Sequence, residues 1–505
     1  MQILNSPAPS SDAGKTETKD LFTVAILAMV VVFVVYKIIY PFPDFMPDSY
    51  FYMGMAKDKY QLVPHIWPVG YAWFLRTLHF FSSGHYVYVV VQYLFLQLFS
   101  LHFLATLFKV FNPPRRIKIT MLAFLVFNPM YLYLANLIAS DAVFIALTVA
   151  WLHILVLMVT KPQWWHFLAQ VLLLTYLMIL RLQALYYPVL LLIALFFTRY
   201  TFIAKAATVV GVAFLMGWFV TATKQANEKA LGIRIFNGFS GYQLANNAMY
   251  MYPYIQHDTN VFAHTPQAEI DRHVREYNDT AYRNRAYITP FDGPGLILTF
   301  DGPLKYHEKV TLHLRNPDKS GLWCYHKAGE DMALYGRKLI VEHPIAYARY
   351  YLLPNVINYL LPMEEQFWKY NEGHDYVWLV AQQWFGLQNG VYCYWLFGSH
   401  YVAQVFKCFF LWLNGMLLGL GIVVLSSRAY KRLQVCQGKV LLVLSVAFVL
   451  NALFSILASP VMFRYQVYAM FMGWIILWLF LPLTGLVASG QMFRAKNSVV
   501  PDKGL

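Results

Sequence analysis

Apolar and polar stretches alternate along this chain at a spacing that predicts repeated membrane crossings. Windows long enough to span a bilayer, about 20 residues each, fall at 22–40, 86–108, 119–137, 141–159, 164–180, 184–197, 206–220, 402–425, 440–458 and 466–486. They predict an all-α polytopic membrane protein of about ten transmembrane helices. Between the seventh and eighth windows lies a region of about 175 residues without such a run, rich in Tyr, His, Pro and mixed charge. It is expected to form a helical and irregular domain outside the membrane. The chain therefore divides into an N-terminal tail (1–21), a first transmembrane module (22–223) with an outer loop at 41–85, an extramembrane domain (224–401), a second module (402–486) and a C-terminal tail (487–505).

Composition agrees with this pattern, because 59% hydrophobic and 13% charged residues are too apolar a mixture for an ordinary soluble protein. A formal charge of +14 would point to nucleic acid in a soluble domain. Here the basic residues instead mark alternate connections: Lys15 and Lys19, then Lys109, Arg115, Arg116 and Lys118, then Lys161, then Arg199 and Lys205, then Arg428, Lys431, Arg432 and Lys439, then Arg494 and Lys496. The positive-inside rule puts all of these on the cytoplasmic side, with both termini. The first apolar run follows a polar segment and lacks a small-residue cleavage site, so it reads as a retained span. A multi-pass protein of a plasma or inner membrane, or of the endoplasmic reticulum, is expected.

The opposite connections hold the chemistry. They carry Asp48, the 136–141 turn, Arg181, the 224–401 region and Arg464, so isolated charges converge on one face. An acid or base at that depth is costly unless paired or hydrated, which makes each a functional candidate. Asp48, Tyr52 and Ala56 fall at i, i+4 and i+8 on one helical face. Asp48 can be read as a helix cap or as a general base at the membrane boundary. His65 to Arg76 reads as an aromatic turn, with Trp67, Pro68, Gly70 and Tyr71, leading into an interfacial helix. Asn128-Pro129 breaks the third span and Ser140-Asp141 opens the fourth. Arg181 and Arg464 can together grip a phosphate, or each can serve as an interfacial anchor.

Other signals are weaker. The histidines of the 224–401 region show no metal-ligand spacing. Cys324 and Cys393 share that region and could pair. Asn278-Asp279-Thr280 is a glycosylation sequon. Residues 330–351 predict a helix broken at His343-Pro344, with Pro344 in the first turn of a second helix. No P-loop, dinucleotide-type glycine pattern or nucleophile elbow occurs in a suitable setting.

Taken in order, Asp48-Ser-Tyr-Phe-Tyr52-Met-Gly-Met-Ala56, Trp67-Pro68-Val-Gly70-Tyr71, Asn128-Pro129 with Ser140-Asp141, Arg181, Glu342-His343-Pro344 and Arg464-Tyr465 resemble the lipid-linked-sugar glycosyltransferases of the GT-C superfamily. The likeness is to the protein mannosyltransferase and aminoarabinose transferase branch. It implies a GT-C-like helical bundle and transfer of a sugar from a polyprenyl-phosphate carrier to a protein, lipid or glycan acceptor on the extracytoplasmic or luminal side. It gives Asp48 the role of catalytic base; Asp141, by its depth beside Ser140, reads as a helix cap or as a second catalytic carboxylate. Tyr52, His65, Arg181, His343, Arg464 and Tyr465 become substrate contacts, the lipid-linked sugar is the donor, and no metal ligand is assigned. A single base and a direct displacement imply inversion at the anomeric carbon.

The chain departs from both branches. The mannosyltransferases carry an adjacent acidic pair where Ser49 follows Asp48, and the aminoarabinose transferases end in a larger soluble domain. A reading from another class is a secondary transporter or lipid flippase, since intramembrane charges also mark transport paths. Such a protein is expected to show inverted repeats and charges at the midplane. A catalytically inactive relative acting as a structural subunit is a third.

Overall fold

The computed structural model describes residues 11–57, 62, 65–256, 259–284, 288–295, 302–388 and 390–487. Among these residues there are no strands, only the isolated bridges Asp44–Leu137 and Met363–Met462. Eight helices among the described residues are long and apolar enough to cross a membrane, so the protein is an all-α multi-pass membrane protein. The windows at 164–180 and 184–197 fall on shorter apolar helices, Trp165–Leu180 and Leu182–Phe197. The break expected at Asn128-Pro129 is present: Asn128 accepts from the Met130 amide, and Pro129 opens the next helical stretch.

Burial ranks the spans. Thr16–Ile39 is only 17% buried and lies at the rim, whereas Ser140–Thr160 and Phe463–Thr484 are each 72% buried and form the centre. Those two central helices carry Asp141 and Arg464 at the same end, beneath the region that connects the seventh and eighth predicted spans. That end is called the capped face below.

The capping region is not one domain. Its first part, through Tyr351, has its own core around Tyr242, Met332, Tyr335 and Cys324. There the helices Phe239–Met249 and Gly321–Glu342 cross so closely that a Cβ on Gly241 would overlap the Gly329 carbonyl. The following residues, including Tyr359, Phe367, Tyr370, Val377 and Trp384, join the core of the transmembrane bundle instead. Tyr50 stacks on Trp378 at 4.6 Å, the Tyr370 hydroxyl donates to the Pro43 carbonyl, and the Trp384 indole donates to the Tyr88 hydroxyl. The boundary expected at residue 401 therefore misses a strap, residues 353–397, that folds back onto the first loop.

Smaller expectations resolve as follows. Helix Gly321–Glu342 ends at His343, and Pro344 opens the next helix, as the sequence indicates. Cys324 and Cys393 are both free and belong to different cores. Asn278 lies inside helix Ala268–Asn284 with its amide donating to the Val274 carbonyl at 2.7 Å, not in the surface loop a glycosylation site needs.

Candidate active site

A cavity of about 630 Å³ opens on the capped face. Asp48, Tyr52, Asp141, Arg181, Arg464 and Tyr465 all line it. Their positions arise locally in different ways. Asp48 sits in the first turn of helix Pro47–Lys57, but it does not cap that helix: the Ser49 hydroxyl accepts from the Met46 amide. Asp141 lies one residue into helix Ser140–Thr160, whose N-cap is Ala139. A carboxylate in that first turn benefits from the free amides and the positive end of the helix dipole. Arg181 terminates helix Trp165–Leu180 in an extended conformation. Arg464 and Tyr465 occupy a short 3₁₀ turn ahead of the last helix.

Asp141 is 3% exposed and is held by two guanidiniums, Arg181 at 2.6 Å and Arg464 at 3.7 Å. Both arginines also lie over the Tyr465 ring, each at 4.8 Å from its centroid, and Arg464 donates to the Tyr465 hydroxyl. The Tyr52 hydroxyl meets Ser140 Oγ at 3.3 Å, and Ser140 Oγ accepts from Arg181. Arg464 also has the Asp48 carboxylate at 3.8 Å and the Glu365 carboxylate at 4.0 Å, so the two guanidiniums sit among several carboxylates, with Asp141 the closest.

Asp48 is held differently. Its nearest cation is Arg464 at 3.8 Å, and no described residue donates a hydrogen bond to its carboxylate. Burial raises its pKa to about 6, against the opposing pull of Arg464. A carboxylate with that affinity accepts a proton readily near neutral pH, which suits a general base.

A second, adjoining wall comes from residues that carry no motif in the sequence: Asp44 in the first loop and Glu365, Trp368, Lys369 and Glu372 in the strap. Backbone strain marks this segment. Glu365, Asn371 and Glu372 have φ of 37°, 47° and 55°, in the left-handed region that non-glycine residues rarely adopt. The neighbours impose it. Glu364 accepts from Lys407 at 2.8 Å, and the Met363 carbonyl accepts from the Phe463 amide. The Asn371 amide donates to Asp44 Oδ1 at 2.7 Å. Glu365 is turned toward Arg464, 4.0 Å away.

The strap also holds the turn that carries Arg464. Asn355, fully buried, donates to the carbonyls of Ile456 and Ser459 and accepts from the Val461 amide.

His65 and His343 do not line the cavity. His65 lines a small recess beside it and neighbours His326, whose imidazole pKa falls to about 4 through burial and then through the charge of His65. His343 joins two helices of the capping region. Among the described residues no group of three or more His, Cys, Asp or Glu side chains is placed to hold a metal ion.

Comparison with protein-family models, curated proteins and solved structures gives no match. The functional reading therefore rests on the chemistry of the cavity.

Proposed function

We propose that the protein is an integral membrane glycosyltransferase of GT-C-like architecture. It moves a sugar from a polyprenyl-phosphate carrier to an acceptor on the extracytoplasmic or luminal side. One observation carries this reading: a single cavity sets a loosely held, high-pKa carboxylate, Asp48, near two arginines that share one carboxylate.

In the proposed step an acceptor hydroxyl attacks the anomeric carbon. Its oxygen forms the new glycosidic bond as the bond from that carbon to the phosphate oxygen breaks. The bonding pair leaves with the polyprenyl phosphate, and the hydroxyl proton passes to Asp48. Arg181 and Arg464 bind the phosphate and oppose the charge that grows on it. Asp141 keeps the two guanidiniums in place and does not itself take the proton. Displacement in one step inverts the anomeric centre. Positive-inside sidedness supports the extracytoplasmic assignment, and the helices Trp165–Leu180 and Leu182–Phe197 complete a ten-span count as short crossings.

The test is incubation of purified full-length protein with labelled polyprenyl-phosphate sugars and a mixed acceptor extract. Consumption of one label, with product of inverted configuration, supports the reading. Movement of the intact labelled lipid between leaflets of a proteoliposome without release of sugar would point to a flippase instead.

A further inference from the structure

The helix that carries Asp141 is preceded by a break in the backbone. Helix Pro129–Asn136 ends, Leu137 and Ala139 are extended, and Ser140–Thr160 begins with Asp141 in its first turn. Backbone of that kind is tolerated at membrane depth only where protein covers it or where it lines a cavity. Ending the first helix also leaves its last carbonyls without partners inside the helix. Gln92, in the span His85–Phe111, supplies partners. Fully buried, it donates from Nε2 to the carbonyls of Ala135 at 2.8 Å and Leu137 at 3.1 Å, and its Oε1 accepts from the Tyr71 hydroxyl at 2.8 Å. A carboxamide in an apolar span is costly unless its hydrogen bonds are made, and here both its nitrogen and its oxygen are engaged.

From this geometry we infer that Gln92 is a positioning residue: by holding the 135–139 break it sets Asp48 against Asp141. The inference rests on the glycosyltransferase reading, in which those two carboxyls serve as the base and as the anchor of the arginines. The first loop is hung on the same break. The Asp44 amide donates to the Asn136 carbonyl at 2.8 Å, and the Ile138 amide donates to the Asp44 carbonyl at 3.0 Å. Met46, two residues before Asp48, then packs with Leu137 and Ala139 in a small core of its own. Gln92 and the first loop therefore bind alternate peptide groups of one segment, and neither can shift it without the other. A second route runs through Tyr71, whose buried ring meets that of Tyr52 edge-on at 4.9 Å. Tyr52 shares helix Pro47–Lys57 with Asp48, and its hydroxyl meets Ser140 Oγ, beside Asp141. Gln92 touches neither carboxyl, yet both routes from it reach the two together. Arg181 and Arg464 are carried by other elements, so the loss of Gln92 should fall on the base more than on the grip of the donor phosphate.

The test compares Gln92→Leu, Tyr71→Phe and Gln97→Leu in the full-length protein. Gln97 is buried in the same span and has no hydrogen bond to the break, so it controls for the loss of a buried carboxamide. Hydrogen exchange in detergent needs no substrate. In Gln92→Leu, and to a smaller extent in Tyr71→Phe, exchange is expected to quicken in residues 42–50 and 135–141 together, while helix Gly321–Glu342 exchanges as in wild type. Gln97→Leu should leave both segments as they are. With labelled donor, kcat should fall about a hundredfold in Gln92→Leu, the worth of a misplacement of about 1 Å. In Tyr71→Phe it should fall about tenfold, the worth of one hydrogen bond, and donor KM should change far less in both. Should Gln92→Leu not fold, Tyr71→Phe carries both readouts. A lowered unfolding temperature with kcat unchanged, an equal loss of kcat in Gln97→Leu, or faster exchange in 135–141 alone overturns the inference. Should wild-type protein consume no labelled donor, the glycosyltransferase reading falls, while the exchange pattern still decides whether Gln92 ties the two segments together.

Discussion

The two walls of the cavity are built by opposite means. On the wall of the transmembrane bundle, Asp141, Arg181 and Arg464 sit at the ends of apolar helices, and their charges are satisfied by one another at 2.6 and 3.7 Å. On the strap wall, Glu365 and Glu372 are presented by a strained backbone, and among the described residues the nearest ion-pair partner is Arg464, 4.0 Å from Glu365. Asp48 belongs to the first loop but resembles the second wall in its loose pairing. The difference separates holding charge from offering it. A carboxylate gripped by two guanidiniums cannot take up a proton without breaking them apart, whereas one at 3.8 Å from its nearest cation can.

That contrast is broken most directly at Asp48. Asp48→Asn keeps the shape and removes the base, so transfer should fall about 10³-fold, the usual worth of general-base catalysis. Turnover is measured with the labelled donor, while thermal unfolding in detergent should not fall below wild type, because the neutral amide removes the cost of a buried charge. Retained turnover would remove Asp48 from the mechanism.

Arg181→Ala tests the gripped wall. It leaves Asp141 buried with only the more distant Arg464, and breaking a buried pair from one side costs about 3 kcal/mol or more. Thermal unfolding should therefore drop well below that of Asp48→Asn. An unfolding midpoint equal to wild type would show that the pair is a functional device with no structural share.

The strap links the walls through Asn355. Asn355→Ala removes three hydrogen bonds to the backbone ahead of Arg464 and leaves buried carbonyls and an amide unpaired, at about 2 kcal/mol. Because the loss acts on the turn that positions Arg464, KM for the donor lipid should rise more than kcat falls. A drop in kcat alone would separate the strap from phosphate binding.

Acidity should act on the two walls unequally. With Asp48 raised to about 6, the rate should fall about tenfold for each pH unit below that value and level off above it. The sign for stability is reversed. A carboxyl whose folded pKa lies above its unfolded value binds the proton more tightly when folded, so its contribution to stability is lost as pH rises from about 4 through about 6. Asp48→Asn should flatten both trends, and a pH–rate profile of the wild type that stays level from pH 7 to pH 5 would deny Asp48 its role.

Legibility in the sequence follows the same division. Asp48, Asp141, Arg181 and Arg464 stood out because a charge beside an apolar window is rare and costly. The all-α membrane class was legible for the same reason, since crossing helices are written as uninterrupted apolar runs. Glu365, Lys369 and Glu372 lie in a region where charges are common, and nothing in their spacing tells that the chain folds back there. The signals that bring them in are tertiary: the Met363–Met462 bridge, the Asn371–Asp44 hydrogen bond and the Tyr50–Trp378 stack. His65 and His343 belong to short motifs, and neither lines the cavity, although His65 stands in a recess beside it.

The smallest effect tests whether the strain serves presentation. Glu372 is a non-glycine residue at φ 55°, and a left-handed conformation costs such a residue about 1–2 kcal/mol. Glycine adopts it freely but loses about 0.5–1 kcal/mol more on folding because its unfolded chain is freer. The balance predicts that Glu372→Gly stabilises the protein by about 0.5 kcal/mol, read as a small rise in unfolding temperature. Glu372→Gln removes the same carboxylate but keeps the strain, and should leave that temperature unchanged. Stabilisation by glycine but not by glutamine would mean that the strap gives up stability to hold a side chain at the cavity mouth. Destabilisation by glycine would mean that the Glu372 side chain holds the strap in place, and the contrast between the walls would lose its physical basis.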